Sequence, residues 1–245
     1  MQVKLHQFAF SHFNEKARWA LAHKGVPHDV ATYLPGPHMP AIRRLSGQTS
    51  TPVLEMNGET VVGSAAIIER LESEFPDNPL HPEAEDLKRQ ALAFETEFDE
   101  IVGPAVRTVV FSVLVNEGAY LVRMFGGSKS LPKRLAYRAS FPLAKGVIAR
   151  GNGVNPENVA RSHKITQETL DRVAERTANH AYMVGDQFSV ADLTAAALLA
   201  PVANVDHVDM KRPEPVPAAF RELVTRYSHH PAVTWVNTIY RNHRR

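Results

Sequence analysis

Two serines stand where the predicted secondary structure would let them hold a bound anion. Ser11 follows a short predicted strand and directly precedes a helical pattern, and Ser64 opens a later predicted helix. Backbone N–H groups at a helix start have no intrahelical partner, and the helix dipole makes that end positive. Each serine could instead be a simple N-cap, because serine is among the commonest capping residues. The residue type alone leaves both possibilities open.

Several other common chemistries find no support in the sequence. The chain has no cysteine, which excludes disulfides, zinc held by cysteine and catalysis by a protein thiol. Its 12 histidines show no metal-ligand spacing, so we expect no metal site. Neither a glycine-rich phosphate loop nor a G-x-S-x-G elbow occurs, which argues against the commonest nucleotide-binding and hydrolase families.

Composition and charge are those of an ordinary folded protein. Hydrophobic residues make up 44% and charged residues 22% of the 245-residue chain, and the formal net charge is only +2. Such a balance argues against a nucleic-acid binder with a broad basic face. We recognise no signal peptide and no apolar run long enough to span a bilayer, so we expect a cytoplasmic protein with no membrane partner. The basic run at 241–245 is predicted to be a solvated, frayed terminus.

The first third of the chain alternates predicted strands and helices. Asn57-Gly58 lies between two short apolar runs and is a strong hairpin signal. The predicted elements are a strand near 3–8, a helix from Ser11 to about residue 24, a strand at His28–Leu34, a short helix at Ile42–Leu45, a hairpin of Val53–Met56 and Thr60–Val62, and a helix at Ala65–Phe75. This order describes a compact α/β unit.

The remainder of the chain is predicted to be almost entirely helical. Three prolines in the segment 76–82 mark a linker, so we place one domain at 1–78 and a second at 85–245. The predicted helices are Glu83–Val102, Val106–Phe125, Pro156–Ala178, Val190–Ala203, Pro217–Tyr227 and Pro231–Asn242, with no defined boundaries in Gly126–Gly153.

Four segments, in the right order along most of the chain, carry a resemblance to the cytosolic glutathione transferases. These are Ser11–Leu21 (the family's first helix), Thr51–Leu54 (the cis-proline motif), Gly63–Ile67 (the acidic-Ser-x-Ala-Ile motif) and Gly185–Leu193 (the capping motif of the helical domain). The resemblance implies an α/β N-terminal thioredoxin-like domain followed by an all-α C-terminal domain. In the last segment, Ser189 and Asp192 have the spacing of a capping box, which is a structural motif.

The resemblance implies that glutathione is the co-substrate and that Ser11 is the catalytic residue. A thiol has a pKa of about 8.5, and a hydroxyl donor at a helix start would lower it. Asn14 could donate a second hydrogen bond to the sulfur or could only support the helix. Residue Pro52 is expected to be cis, with the backbone of Thr51 pairing with the peptide-like ligand.

The two ends of glutathione would be held by other residues of the first domain. The resemblance assigns the γ-glutamyl carboxylate to Ser64 and gives His38, or more weakly Arg43, the glycine carboxylate. A loop histidine is also commonly just exposed to solvent. Gly63 departs from the family, where an acidic residue or glutamine precedes the serine, so the amino group of glutathione would need an acidic side chain from elsewhere, for example from a partner subunit.

The second substrate is expected to be a small hydrophobic electrophile bound between the domains. Candidate walls are Phe111, Leu114, Tyr120 and Met124, although apolar residues at helical spacing are more often core. The resemblance also implies a homodimer. A different hypothesis is a non-catalytic binding module on the same fold, favoured by Gly63 and Asn14.

Overall fold

The computed structural model describes residues 2–127 and 129–244, which form a small sheet domain followed by a helical one. The first domain contains a four-stranded sheet and three helices. Its elements are β1 (Val3–Gln7), α1 (His12–His23), β2 (Asp29–Thr32), α2 (Met39–Ser46), β3 (Val53–Met56), β4 (Glu59–Val62) and α3 (Ser64–Glu74). The predicted thioredoxin-like domain is therefore confirmed, with strands and helices in the expected order.

The sheet has the order β2-β1-β3-β4, with β1 and β2 parallel and the other neighbours antiparallel. The predicted turn between β3 and β4 is present, since Asn57 and Gly58 both have positive φ (52° and 87°), as a type I′ turn requires. The peptide bond between Thr51 and Pro52 is cis, as expected. Strands β1, β2 and β4 end at the same edge of the sheet at which β3 begins. The segments that follow β1, β2 and β4 therefore lie beside the segment that precedes β3.

Helix α1 is buried on more than one face. Its apolar residues pack in the core, where Trp19 and Leu21 are fully buried. The charged residues Glu15, Lys16 and Arg18, which lie off the apolar stripe, are also buried. The reason is that α1 packs against a helix of the second domain, Val190–Ala203, as well as against α3 of its own domain. The helix that begins beside Ser11 thus lies at the contact between the two domains.

The second domain is helical, as predicted. Its helices are α4 (Glu85–Glu97), which continues into a π-helical segment (Phe98–Val102), α5 (Gly103–Leu114), α6 (Gly118–Gly126), α7 (Leu131–Gly151), α8 (Pro156–Thr177), α9 (Val190–Ala203), α10 (Ala218–Tyr227) and α11 (Pro231–His243). None of the helices in the described part of the chain is both long enough and apolar enough to cross a membrane.

The prediction of one helix at Val106–Phe125 is wrong, because the chain breaks between α5 and α6. Glu117 leaves the helical conformation, with φ −99° and ψ 56°, and Gly118 begins the next helix. A Cβ at Gly118 would lie 2.6 Å from the Phe141 ring, so α6 packs closely on α7 at this glycine.

The prediction of a frayed basic C-terminus is also wrong for the residues that the structure describes. Residues 241–243 belong to α11, and Arg244 is buried against Glu15 and Asp209, with N···O distances of 2.9 and 2.6 Å. Arg245 lies outside the described residues. The C-terminus therefore contributes to the contact between the domains, because Glu15 belongs to α1.

Candidate functional site

The residues predicted to bind glutathione gather at one edge of the sheet. Ser11 follows β1, Thr51 and Pro52 precede β3, and Gly63 and Ser64 follow β4. The Gly63 N–H donates to the Pro52 carbonyl over 3.0 Å, which joins two of these segments directly. The loop that carries His38 follows β2 and lies at the same edge. Segments distant in sequence thus form one surface, as the predicted topology requires.

Ser11 is the N-cap residue of α1 by position, but its side chain does not cap the helix. Its backbone is extended, with φ −86° and ψ 126°, and the hydroxyl makes no hydrogen bond to a backbone N–H of the first turn. Phe10, just before it, has a φ of 59°, a left-handed conformation that is uncommon for a bulky residue. This sharp turn presents Ser11 at the mouth of a cavity, where its hydroxyl is available to a ligand.

Asn14 lies one turn further along α1 and is fully buried. Its amide donates to the Thr51 hydroxyl over 3.2 Å, so it links α1 to the cis-proline segment. Its carbonyl oxygen Oδ1 is buried and has no hydrogen-bond partner among the described residues. The hydrogen bond of the amide ties the start of α1 to Thr51, next to the cis peptide bond.

His38 uses both ring nitrogens in hydrogen bonds to backbone groups on either side of α2. Nε2 lies 2.8 Å from the Thr49 carbonyl and must donate to it, while Nδ1 accepts from the Gly36 N–H over 3.0 Å. Burial lowers the pKa of His38, which favours this neutral form. The arrangement leaves no ring N–H for a carboxylate and gives His38 the role of fixing the segment before Thr51. Arg43, the weaker candidate, is exposed on α2.

The start of α3 combines a buried serine with a strained glycine position. Ser64 is the first residue of the helix and is 5% exposed. Gly63 has a φ of 90°, a conformation that residues with a side chain rarely adopt. A glycine at position 63, where the family has an acidic residue or glutamine, therefore suits the local backbone conformation. An acidic residue at this position would be strained as the loop stands.

A cavity of about 230 Å³ opens beside Ser11, between the two domains. Of the predicted wall residues, Phe111, Leu114 and Met124 line it, and Tyr120 does not. The walls are largely aromatic and aliphatic: Phe8, Phe10, Phe13, Pro35, Val110, Phe111, Leu114, Leu121, Met124, Phe125, Tyr137, Phe141, Ile148 and Pro201. The structure thus brings Ser11 and Thr51 to the same cavity as three of the four predicted pocket residues.

Two family models match the chain and together cover both domains. The N-terminal domain of glutathione S-transferases matches residues 5–79, and their C-terminal domain matches residues 134–231. The chain belongs to the glutathione S-transferase superfamily. A comparison with the sequences of curated proteins gave no significant match.

Solved structures of this superfamily share the fold over nearly the whole chain. The β-etherase LigF from Sphingobium sp. strain SYK-6 is 18% identical, with a TM-score of 0.67 over 96% of this chain and 98% of that one. A glutathione S-transferase from Methylobacterium radiotolerans, in complex with glutathione sulfonate, is 22% identical (TM-score 0.58; 96% and 93% covered). Another from Methylobacillus flagellatus, with glutathione bound, is 16% identical (TM-score 0.63; 97% and 93% covered). Identities this low show the fold alone.

Three basic residues line the cavity of this superfamily member without having been predicted from the sequence: His12, Arg107 and Arg212. His12 Nε2 donates to the Gly103 carbonyl over 3.0 Å, and burial, aided by the charge of Arg107, lowers its pKa to about 3. His12 is therefore neutral at physiological pH. The sequence could have indicated Arg107 as a functional residue, because it is the one charged residue in the apolar run 101–116. No comparable pattern marks Arg212, which lies in a proline-rich loop.

The described residues also contain one cluster with the composition of a metal site. Glu15, His207 and Asp209 place one potential ligand atom each within 4.8 Å of one another. Glu15 already accepts charged hydrogen bonds from Arg18 (2.8 Å) and Arg244 (2.9 Å), and Arg244 also bonds Asp209. The arginines supply the positive charge here, so the cluster is an ion-pair network between the domains.

Gly103 allows α5 of this transferase-family fold to approach Phe13 of α1 closely. A Cβ at this position would lie 2.6 Å from Cζ of Phe13. Gly103→Ala should push the Phe13 ring toward the cavity and lower the free energy of unfolding by about 1–2 kcal/mol, which urea denaturation would measure. Gly146→Ala is the matched control, because nothing lies within 4 Å of its Cβ position in α7. Equal effects of the two substitutions would contradict the close packing.

Proposed function

We propose that this superfamily member is a serine-type glutathione transferase, in which Ser11 holds the sulfur of glutathione as a thiolate. The observation that carries the proposal is the Ser11 hydroxyl, which makes no capping bond, at a helix start beside an interdomain apolar cavity. A thiolate is stabilised both by a hydroxyl donor and by the positive end of a helix. The glutathione-derived ligands of the two similar transferases support glutathione as the thiol.

The proposed reaction is a substitution at carbon. The glutathione thiol gives up its proton to solvent water, its sulfur forms a bond to the electrophilic carbon, and the leaving group departs with the electron pair of the broken bond. Ser11 donates a hydrogen bond to the sulfur and so raises the fraction of thiolate at neutral pH. Because the chain has no cysteine, a mixed disulfide between glutathione and this protein cannot form.

The same edge of the sheet would hold the rest of glutathione. The backbone of Thr51, next to Pro52, would pair with the peptide part of the ligand, and the start of α3 at Ser64 would accept the γ-glutamyl carboxylate. Asn14 and His38 support this surface, since they bond Thr51 and Thr49 respectively. The domain limits 1–78 and 85–245, a homodimer and a cytoplasmic location stay predictions.

Ser11→Ala tests the proposal directly. We expect the pKa of enzyme-bound glutathione to rise by about one unit or more, because the thiolate loses a hydrogen-bond donor. At pH 6.5, kcat/KM for conjugation should fall by about 10- to 100-fold. The thiolate absorbance near 240 nm, followed against pH, measures the first quantity, and steady-state kinetics with 1-chloro-2,4-dinitrobenzene measures the second.

Ser46→Ala is a suitable control, because in the described part of the chain the Ser46 hydroxyl bonds only Ile42 and Gln48, within and beside α2. This helix carries neither Ser11 nor Thr51. An unchanged thiol pKa in Ser11→Ala would exclude Ser11 as the activating group. The non-catalytic binding module remains the second candidate, favoured by Gly63, where the family has an acidic residue or glutamine. Retention of the wild-type protein on immobilised glutathione, together with no conjugation of any electrophile, would favour that candidate.

A further inference from the structure

Two arginines of the cavity lack an acidic partner: Arg212 is buried and Arg107 is half-buried. Arg107 lies on α5, and Arg212 lies in the loop between α9 and α10. Arg212 is only 8% exposed, and its guanidinium contacts the Phe220 ring at 4.3 Å from the centroid. Among the described residues neither arginine has an ion pair or a hydrogen bond, and Nε of Arg107 is buried without a partner. Both side chains line the cavity beside Ser11.

The other buried lysines and arginines of the described residues are paired with carboxylates. Lys16 contacts Glu95 at 2.8 Å, Arg18 contacts Glu15 at 2.8 Å, and Lys24 contacts Glu72 at 2.5 Å. Burying a charge without a partner is costly, and proteins normally avoid it unless a ligand supplies the opposite charge. Arg107 and Arg212 therefore differ from the structural cations of the same fold. Their missing partner is the feature that needs an explanation.

The electrostatics of the cavity point to a negatively charged ligand. None of the described residues that line it is an aspartate or a glutamate. His12 adds no charge, because its pKa is lowered to about 3 by burial and by the charge of Arg107. The two guanidinium groups thus face a cavity with apolar walls and no counter-charge. Planar guanidinium groups bind carboxylates with paired hydrogen bonds, and water is a poor competitor in an apolar cavity.

The charge of Arg107 lies beyond the end of the cavity at which Ser11 is found. Gly103, whose carbonyl bonds His12 next to Ser11, begins α5, and Arg107 follows one turn later, about 6 Å along the axis. Phe111 and Leu114 continue the same helix face into the apolar part of the cavity. A ligand that presents a carbon to the sulfur at Ser11 could therefore extend an anionic group toward the arginines.

We infer that the second substrate is an aromatic or similarly flat apolar electrophile that carries a carboxylate, bound by Arg107 and Arg212. The inference rests on the proposed function and specifies its substrate class. The carboxylate is unchanged in the reaction: a C–S bond forms, the bond from that carbon to the leaving group breaks, and a halide or an oxyanion leaves with the electron pair. The arginines position the substrate and do not act on the sulfur.

Binding of unreactive acceptor analogues tests the inference without requiring catalysis. We would titrate the full-length protein, saturated with glutathione, with 3,5-dinitrobenzoate and with 3,5-dinitrobenzamide in a calorimeter. The two probes share ring and shape and differ in charge. We expect the wild-type protein to bind the carboxylate at least tenfold more tightly. In Arg107→Gln and in Arg212→Gln this preference should fall to threefold or less, whereas Arg107→Lys and Arg212→Lys should retain part of it.

Arg89→Gln provides a matched control, since Arg89 is exposed on α4. Its preference for the carboxylate should equal that of the wild-type protein. Equal affinity of the wild-type protein for both probes, or no measurable binding of either, would overturn the inference. A preference for the carboxylate probe that persists in both Arg107→Gln and Arg212→Gln would also overturn the inference. The comparison within the wild-type protein does not depend on the folding of any variant.

Kinetics with 4-chloro-3,5-dinitrobenzoate and its amide separates this inference from the proposed function. In each case the rate would be divided by the uncatalysed rate with glutathione. Conjugation of both acceptors at equal normalised kcat/KM would uphold the transferase and reject the carboxylate site. Arginine-dependent binding of 3,5-dinitrobenzoate without conjugation of either acceptor would uphold the site and reject the transferase. A normalised kcat/KM at least tenfold higher for the carboxylate, lost in Arg212→Gln, would support both.

Discussion

Replacing Lys16 with methionine is expected to lower the free energy of unfolding by about 3–5 kcal/mol, because it leaves one buried and one half-buried carboxylate without their cation. The Lys16 side chain is fully buried, and its ammonium lies 2.8 Å from Glu95 and 2.6 Å from Asp99. Methionine keeps the length and the apolar contacts of the lysine stem, so the effect reports mainly on charge. Urea denaturation followed by tryptophan fluorescence would measure it.

A surface lysine provides the comparison that isolates burial. Lys164 pairs with Glu168 at 3.8 Å on α8, but the side chains are 75% and 62% exposed. Lys164→Met should leave the unfolding midpoint almost unchanged, since solvent screens such pairs. If both lysine substitutions shifted the midpoint equally, the buried ion pairs would not be important for stability.

The pH dependence of the stability of Lys16→Met provides a second test, because the pKa of Asp99 determines its direction. Burial already raises the pKa of Asp99, and Lys16 opposes that rise. Without Lys16 the folded-state pKa should rise further above its unfolded value. A raised carboxyl pKa means that stability is retained at low pH and lost as the pH rises through the folded pKa. The difference between Lys16→Met and the wild type should therefore be smaller at pH 4 than at pH 8, and Asp99→Asn in the variant should restore part of the loss at pH 8.

The sequence predicted those parts of the fold that depend on local chemistry. Asn57-Gly58 specifies its turn because both residues accept positive φ, and the apolar spacing of the strands determines which face is buried. The sheet topology then carries Ser11, Thr51 and Ser64 to one edge, although they are far apart in the chain. Three of the four predicted wall residues line the cavity for a similar reason, since Phe111 and Leu114 share one face of α5.

The sequence could not predict features that depend on long-range partners. Lys16 bonds residues about eighty positions away, and Arg244 reaches Glu15 across nearly the whole chain. A lysine off the apolar stripe of a helix indicates a solvated face, and an arginine near the end of the chain indicates a solvated terminus. The tertiary contact of α1 with the second domain reverses that interpretation. Arg212 was missed for a related reason, because its loop enters the cavity only once α9 and α10 have packed.

Asp192→Ala is expected to have the second large effect on stability, about 3 kcal/mol. Asp192 is fully buried at the start of α9. Its carboxyl accepts the Met183 N–H at 2.7 Å and both the N–H and the hydroxyl of Ser189 at 3.0 Å. Alanine would leave two backbone N–H groups buried and unpaired, each costing about 1–3 kcal/mol. Denaturation at pH 8 is the suitable measurement, because burial raises the pKa of Asp192 only to about 6 and the carboxylate is then ionised.

Asp186→Ala is the control for this substitution, since Asp186 is exposed in the same segment and should tolerate alanine with almost no change. Ser189→Ala should cost less than Asp192→Ala, about 1 kcal/mol, because Asp192 would still accept both backbone N–H groups. None of these residues lines the cavity beside Ser11. At a temperature where each variant stays folded, kcat/KM should therefore match the wild type. A variant with an unchanged melting temperature and lost conjugation activity would contradict the structural role and would place the capping motif in the catalytic machinery.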